Sequence, residues 1–361
     1  MPASESSRIG KWSEQEVLER IEAIRRRAPR LRDEAINMSH GAGGRATHTL
    51  VEALFRPAFD TPGGDAALAA LDGRTLAVTT DSYVVSPLFF PGGDIGELAV
   101  NGTVNDLAVA GARPLYLTAS FILEEGLTVE TLRRVVESMA RAAARAGVQL
   151  VAGDTKVVPR GKADLLFVTT TGVGLVADPG RLGASQVRAG DAVLVSGTVG
   201  DHGTAILLAR GDLDLETDLA SDTAPLHGLC EALLEAGEVH LMRDATRGGV
   251  ATVLNELAVE AQVAVAIREE AIPIRDEVRG AAEILGIDPM YMANEGKLVA
   301  VVAAADAEAA LAAMRAHPLG REAAIIGEVR AEPPGMVFMH TAFGGSRVVD
   351  MLIGDPLPRI C

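Results

Sequence analysis

The chain has 361 residues, of which 48% are hydrophobic and only 3% aromatic, and its formal net charge is -16. That length exceeds what one hydrophobic core fills, so two domains are expected. The acidic balance repels phosphate backbones and anionic lipids, the scarcity of rings leaves no stacking platform for bases, and no apolar run reaches the roughly 18 residues that span a bilayer. Neither a nucleic-acid nor a membrane partner is expected. The amino terminus has no basic-then-apolar signal segment, and Cys230 and Cys361 are the two cysteines. A reducing, cytoplasmic setting fits that usage.

Residues 1–34 form a predicted helical amino-terminal extension. Ser13 caps a helix whose apolar positions are Val17, Leu18, Ile21 and Ile24. Its arginines, Arg25, Arg26, Arg27 and Arg30, alternate with acids, the pattern of a solvated face. A first domain is placed at 35–178. It opens on Ser39-His-Gly-Ala-Gly-Gly-Arg45, followed by a helical pattern from Ala46. Leu76–Thr80 reads as a strand delivering Asp81 at its end. Gly96–Ala110 is a helix of small residues, with Glu97, Asn101 and Asn105 on one face and Asp106 immediately after. A stronger helix covers Val129–Ala146. A short strand, Gln149–Ala152, then ends in Gly153-Asp154-Thr155-Lys156, and Leu165–Val176 is β-rich. The turn-rich Ala177–Arg181 marks the domain boundary.

The second domain is placed at 179–345. Its first strand, Ala192–Ser196, runs into Gly197-Thr-Val-Gly-Asp-His-Gly203 and a helix. Helices are expected near 225–236, 248–260 and 306–316, and strands near 262–267, 297–303 and 323–329. Residues 346–361 are read as a flexible, exposed tail ending in Cys361, because Pro356 and Pro358 disfavour a helix and chain ends are usually free.

Several segments suit phosphate and metal chemistry. The glycines at 41, 43 and 44 let backbone N–H groups approach an anion, although a plain tight turn explains them equally; the Lys-Ser/Thr ending of a P-loop is missing. Asp81, Asp106 and Asp154, each placed at the end of an element, suit oxygen coordination of Mg²⁺ on nucleotide phosphates, or serve as caps and turn residues. Arg243-Asp-Ala-Thr-Arg-Gly-Gly249 precedes a helix, so Asp244 is a further cap or ligand. Glu295 lies in the turn Asn294-Glu-Gly296. A terminal thiol on a tether is a fit carrier for a covalent cargo, or else an incidental, weakly packed terminal cysteine.

In consistent order over about residues 35–361, Ser39–Gly44, Thr80-Asp81, Asn101-Gly-Thr-Val-Asn-Asp-Leu107, Gly153–Lys156, Gly200-Asp-His-Gly203, Arg243–Gly249, Asn294-Glu-Gly296 and the closing Pro-Arg-Ile-Cys361 resemble the hydrogenase expression/formation protein HypE family. Its wider group holds aminoimidazole ribonucleotide synthetase, selenophosphate synthetase and thiamine monophosphate kinase. The resemblance implies a two-domain α/β (α+β) fold, with an amino-terminal dimeric β-structure and a carboxy-terminal α/β domain. It implies ATP and Mg²⁺ as cofactors, with Asp81, Asp106, Asp154 and Asp244 toward the metal. His40, Gly41, Gly43, Gly44, Asn101, Asn105, Asp106 and Thr155 would line the nucleotide. It implies ATP-dependent dehydration of a thiocarbamate on Cys361 to a thiocyanate, with Lys156 and Glu295 orienting the group or moving protons. The implied partners are a second copy (a homodimer), the carbamoyltransferase HypF and the HypC–HypD iron-centre assembly. A related small-molecule kinase or synthetase is the competing enzyme, and an ATP-binding scaffold the competing non-enzyme. Selenophosphate synthesis fits less well, since the first domain contains no cysteine.

Overall fold

The computed structural model describes residues 31, 33–59, 64–213, 216–354 and 359–361; the helix expected at Ser13 lies outside them. A 3₁₀ turn at Met38–Gly41 leads into α1 (Arg45–Leu50), a π-helical turn (Val51–Phe55) and α2 (Arg56–Phe59). The first domain then runs β1 (Ala67–Leu71), β2 (Arg74–Tyr83), the short pair β3 (Phe89–Phe90) and β4 (Gly93–Asp94), α3 (Ile95–Val109), β5 (Ala112–Glu124), α4 (Val129–Ala146), β6 (Gln149–Val158) and β7 (Leu166–Val176). Its sheet has the order β1-β2-β7-β5-β6. Neighbours are antiparallel except β5 and β6, which α4 connects in parallel.

Local sequence explains the helices. Thr128 caps α4 by accepting from Thr131 N, and Gly147 ends it in the left-handed region at φ 67°. The buried stripe Val135, Ser138, Met139, Ala142, Ala143 and Ala146 has helical spacing. α3 begins on Asp94, whose side chain accepts from Gly96 N and Glu97 N. Its small residues are the condition for its burial: a Cβ at Gly96 would lie 2.4 Å from Val135 O, and one at Gly102 2.1 Å from the Tyr83 hydroxyl. α3 is thereby wedged between sheet, α4 and the second domain.

The second domain contains β8 (Ala192–Val195), α5 (Asp201–Arg210), α6 (His227–Ala236), β9 (Val239–Asp244), α7 (Gly249–Glu260), β10 (Ala264–Arg268), α8 (Asp276–Leu285), β11 (Leu298–Val302), α9 (Ala307–Ala316), β12 (Ala324–Arg330), β13 (Met336–His340) and β14 (Ser346–Val349). Its sheet has the order β14-β13-β10-β12-β8-β11-β9. Its middle strands are buried on both faces, so β11 reads as an unbroken apolar run. One core cluster crosses the domains, joining Tyr83, Leu98 and Val135 to Ile206, Val278, Met292, Ile360 and Cys361. Among the described residues no helix is long and apolar enough to cross a membrane.

Three sequence expectations change. β2 continues through Tyr83, so Asp81 lies inside the strand, because pairing with β7 runs to Tyr83↔Val168. β6 likewise continues to Val158 along β5, so Asp154, Thr155 and Lys156 are strand residues and not its exit. The tail is not exposed at its end: Ile360 and Cys361 are buried.

Candidate active site at the domain junction

Alternation along β2 turns Thr79, Asp81 and Tyr83 to the α3 side. There Thr79 Oγ1 lies 2.7 Å from Asp106 Oδ2 and 2.8 Å from the Asp65 carbonyl. Asp244, at the end of β9, closes the group from the second domain, and its Oδ2 is buried without a hydrogen-bond partner. Burial first, and then the negative charges of Asp244, Asp65 and Asp81, hold the Asp106 carboxyl well above the usual range. Burial together with Asp65 and Asp81 does the same to Asp244. Arg243 neutralises one margin, with Asp65 at 2.9 Å and Glu260 at 3.0 Å. Among the described residues no group of three His, Cys, Asp or Glu side chains is placed to hold a metal ion by itself. The arrangement is a cluster of carboxyls with Arg243 at its margin.

Glu295 enters from the turn before β11. Its N–H donates to Asp222 Oδ1 at 3.0 Å, and Lys297 Nζ holds the other Asp222 oxygen at 3.0 Å. Gly296 is required here, since a Cβ would fall 1.8 Å from Asp222 O. Burial works to raise Asp222, but Lys297, with the Glu295 N–H, outweighs it and keeps the carboxyl below its ordinary value. Burial followed by Asp81 and Asp244 pushes Glu295 well above its own. Glu295 Oε1 has no hydrogen-bond partner.

The tail brings the thiol to this carboxyl. Val84 N donates to Cys361 O and Ser86 N to Arg359 O, both at 3.1 Å, so two main-chain bonds seat the tail on the segment that follows β2. Ile360 is packed into the common core, worth about 1.5–3 kcal/mol for a fully buried aliphatic chain. Burial raises the Cys361 thiol well above its usual range; Arg247 opposes that, while the nearby carboxyls of Glu295 and Asp81 reinforce it. A cavity of about 130 Å³ opens beside Cys361 and Arg247, beneath Gly41 and Ala42.

The glycine loop covers that cavity. Gly43 has φ +73° and its α-carbon stands against Arg247, where a Cβ would meet the Arg247 Cβ at 2.7 Å; Arg247 in turn donates to Gly41 O at 3.1 Å. At Gly44 a Cβ would lie 2.4 Å from Leu352 O. His40 is buried beneath, its Nδ1 accepting from Asn37 N at 3.1 Å and its Nε2 standing 3.2 Å from Asp33 Oδ2. Asn101 keeps one buried, unpartnered oxygen, Oδ1, while its amide donates to Thr223 at 3.1 Å. Asn105 is otherwise engaged. Its amide donates to Ala224 O and Glu295 O and its oxygen accepts from Leu226 N, so it clips α3 to the second domain.

Asp154 and Lys156 are not brought to this group within one chain. Gly153 shares a cross-strand row with Ala119, Thr170 and Asp81, so Asp154, one residue on, faces the opposite side of the sheet. It is paired there with Lys156 at 2.6 Å, and that bond first, then the Thr155 N–H, keeps its carboxyl low. Thr155 is exposed on the same edge strand.

Sequence reasoning did not select Arg247, Tyr83 or the Asp222–Lys297 pair. Arg247 lay inside the Arg243–Gly249 motif, which was the available signal. Asp222 stands in no motif, and its role exists only because the fold seats it under Glu295.

The geometry now meets its relatives. Residues 63–176 match the family described as AIR synthase related protein, N-terminal domain, and residues 188–339 its C-terminal domain. The carbamoyl dehydratase HypE of Rhizobium leguminosarum bv. viciae is 54% identical over 332 residues, covering 90% of this chain and 95% of that protein. The chain belongs to the HypE family. The HypE of Escherichia coli K12 is 48% identical over 335 residues, covering 90% of this chain and 99% of its own. A crystal structure of the hydrogenase maturation protein HypE in complex with ATP superposes with TM-score 0.77 at 49% identity, covering 91% of this chain and 100% of that one. A HypE–HypF complex gives 0.79 at 48%, covering 84% and 99%. At 20% identity and TM-score 0.62, the thiamine monophosphate kinase of Aquifex aeolicus, covering 82% of this chain and 97% of its own, shares the fold alone.

Proposed function

We propose that this protein is an ATP-dependent carbamoyl dehydratase of NiFe-hydrogenase maturation, with Cys361 as the tether of its substrate. The observation that carries this is the docked thiol, buried at the domain junction in one cavity with Arg247 and within electrostatic reach of Glu295 and Asp81. The thiocarbamate on sulfur would pass its oxygen to the γ-phosphate of ATP, giving ADP. Loss of phosphate and of both nitrogen-bound protons would leave Cys361 S–C≡N. Written as a sum, R–S–C(=O)–NH₂ and ATP become R–S–C≡N, ADP and phosphate.

Each residue's task follows from its surroundings. Glu295 has a raised proton affinity and an unpartnered oxygen, which suits acceptance of a nitrogen-bound proton, and Arg247 favours its ionised form. Asn101 and the 41–44 loop offer polar atoms for the nucleotide, and Asp81, Asp106 and Asp244, which do not close on an ion by themselves, would hold Mg²⁺ together with the nucleotide's phosphates. The unpartnered Asp244 Oδ2 and the crowding of carboxyls fit a hard cation. Bound there, the ion would neutralise charge on the transferring phosphoryl group. The docked thiol is held neutral, so it does not act as a nucleophile in this position and loading would precede docking.

HypF is the proposed loading partner and HypC–HypD the proposed receiver of cyanide. A homodimer is proposed through the first sheet: β6 is exposed along its length, Val151 and Val157 included, as an unpartnered surface would be. Through that contact a second copy would supply Asp154, Thr155 and Lys156 to a shared nucleotide site. Incubation with ATP, Mg²⁺, carbamoyl phosphate and HypF, followed by intact mass and mapping of the terminal peptide, tests the chemistry. A carbamoyl adduct on Cys361 that loses the mass of one water on ATP turnover is expected. An adduct elsewhere, or one unchanged while ATP is consumed, overturns the proposal.

A further inference from the structure

Three successive tail residues each offer a main-chain oxygen to a donor from the body. Arg359 O takes Ser86 N at 3.1 Å and also the Arg210 guanidinium, Ile360 O takes His202 Nε2 at 2.6 Å, and Cys361 O takes Val84 N at 3.1 Å. The outer margin adds an ion pair between Arg359 and Asp164. Recognition is therefore by main chain, and none of these bonds uses the sulfur or what it carries.

His202 is the fully buried side chain of this set. Its tautomer follows from its partners. The Ile360 carbonyl can only accept, so Nε2 carries the hydrogen that meets it. Burial lowers the ring's pKa, so Nδ1 is left to accept from the Ser221 hydroxyl at 2.8 Å, and Ser221 Oγ in turn accepts from Thr223 N at 3.2 Å, which completes a relay. Gly200, at φ 89°, starts α5 and places the ring in the first helical turn, and the Phe90 ring meets it edge-on with centroids 5.6 Å apart. Ser221 is itself fixed by its N–H to Pro91 O at 2.8 Å, so the relay is anchored in the first domain. All of this surrounds a backbone carbonyl of the last residue but one, and nothing in the proton chemistry proposed above uses it.

We propose that His202, oriented by Ser221, is a positioning residue of the reaction: it latches the tail through the Ile360 carbonyl and so keeps Cys361 docked whatever its sulfur carries. The latch opposes loading, which needs a free thiol, and favours the ATP step, which needs a docked one. Breaking it moves the two half-reactions in opposite directions.

The test uses the full chain. Its labelling arm is independent of the function proposed above, and its catalytic arm rests on it. In the first arm, Cys361 is alkylated with iodoacetamide and followed by intact mass and peptide mapping, with the buried Cys230 as internal reference. His202→Ala is expected to speed labelling of Cys361 about tenfold, the value of one net hydrogen bond. His202→Gln, which retains a donor, is expected between that variant and the parent. Arg210→Ala, at the margin of the seat, is expected to speed labelling less, and it keeps the test open should the buried substitution fail to fold. In the second arm, the carbamoylated proteins are given saturating ATP in single turnover. His202→Ala is expected to convert about tenfold more slowly, with glutamine again partly restoring the rate. Labelling at the parental rate in folded His202→Ala or in Arg210→Ala overturns the latch, as does equal loss in both half-reactions without rescue by glutamine. Faster labelling with no carbamoyl chemistry in any protein upholds the latch and fails the function.

Discussion

Two regions carry the acidic residues that the motifs single out, and the fold treats them in opposite ways. At the domain junction Asp106, Asp244 and Glu295 are packed together with too little positive charge, and their proton affinities rise. On β6 Asp154 is exposed, satisfied by Lys156 and the Thr155 N–H, and its proton affinity falls. The same residue type in similar Gly-Asp or Asn-Asp settings is strained in one place and relaxed in the other. Burial and company decide this, and neither is a property of the motif.

The comparison is broken most severely at Glu295. Glu295→Gln keeps shape and removes the proton acceptor, so conversion of the carbamoylated protein should fall about 10²–10⁴-fold while loading persists; equal loss in the mass-spectrometric rates of both steps would place Glu295 outside proton transfer. Next comes its support. Lys297→Met leaves Asp222 buried and unpaired, and should destabilise by about 3–5 kcal/mol in denaturant unfolding, with the Glu295 turn loosened as well.

Lys156→Ala sharpens the contrast from the other side. Lys156 is exposed, so stability should stay within about 0.5 kcal/mol. If β6 completes a shared site, single-turnover conversion should drop about 10²-fold with sedimentation unchanged; an unaltered rate would leave β6 a surface only.

The smallest effect is on stability at Asp244. Because the folded pKa values of Asp106, Asp244 and Glu295 lie above the unfolded ones, the folded protein holds protons the unfolded chain has released. Their contribution is fully favourable below the unfolded carboxylate range, near pH ~4, and is lost as pH rises through the folded values. Asp222 has the opposite sign, its contribution being lost as pH falls through its depressed value. Asp244→Asn should therefore raise stability at neutral pH by about 1 kcal/mol, the ordinary size of a single-substitution effect, seen as a Tm higher by about 1–2 °C in a chain of this length, and flatten the gain on acidification. A lower Tm would mean that the Asp244 carboxylate is compensated by its neighbours.

Much of the fold was legible because local patterns suffice for it. α4 has a capping threonine, a 3.6-residue stripe and a closing glycine; β11 is apolar without a break and bounded by Gly296. β5, β13 and α8 were not foreseen. β5 mixes exposed and buried residues because one of its faces is open, and α8 begins at Asp276 directly after a connecting loop with no side-chain cap. Within the site, Asp81, Asp106, Asp244, Glu295 and Cys361 were selectable by type and motif. Asp154 was selected on the same grounds and faces away, since one residue of strand register reverses its side.

By itself the sequence determined the capped and strongly periodic elements, α4 and β11 among them, and the family to which the motifs belong. These depend on neighbours within a few residues. Tertiary structure alone decided that Asn105 serves as a clip, that Asp222 and Lys297 stand behind Glu295, and that the last residues dock on the segment after β2, against His202, instead of trailing free. Each depends on groups distant in sequence, for instance Asn105 and Glu295, 190 positions apart. The physical reason is that burial and charge are set by what surrounds a residue in space, while spacing along the chain reports only its own element.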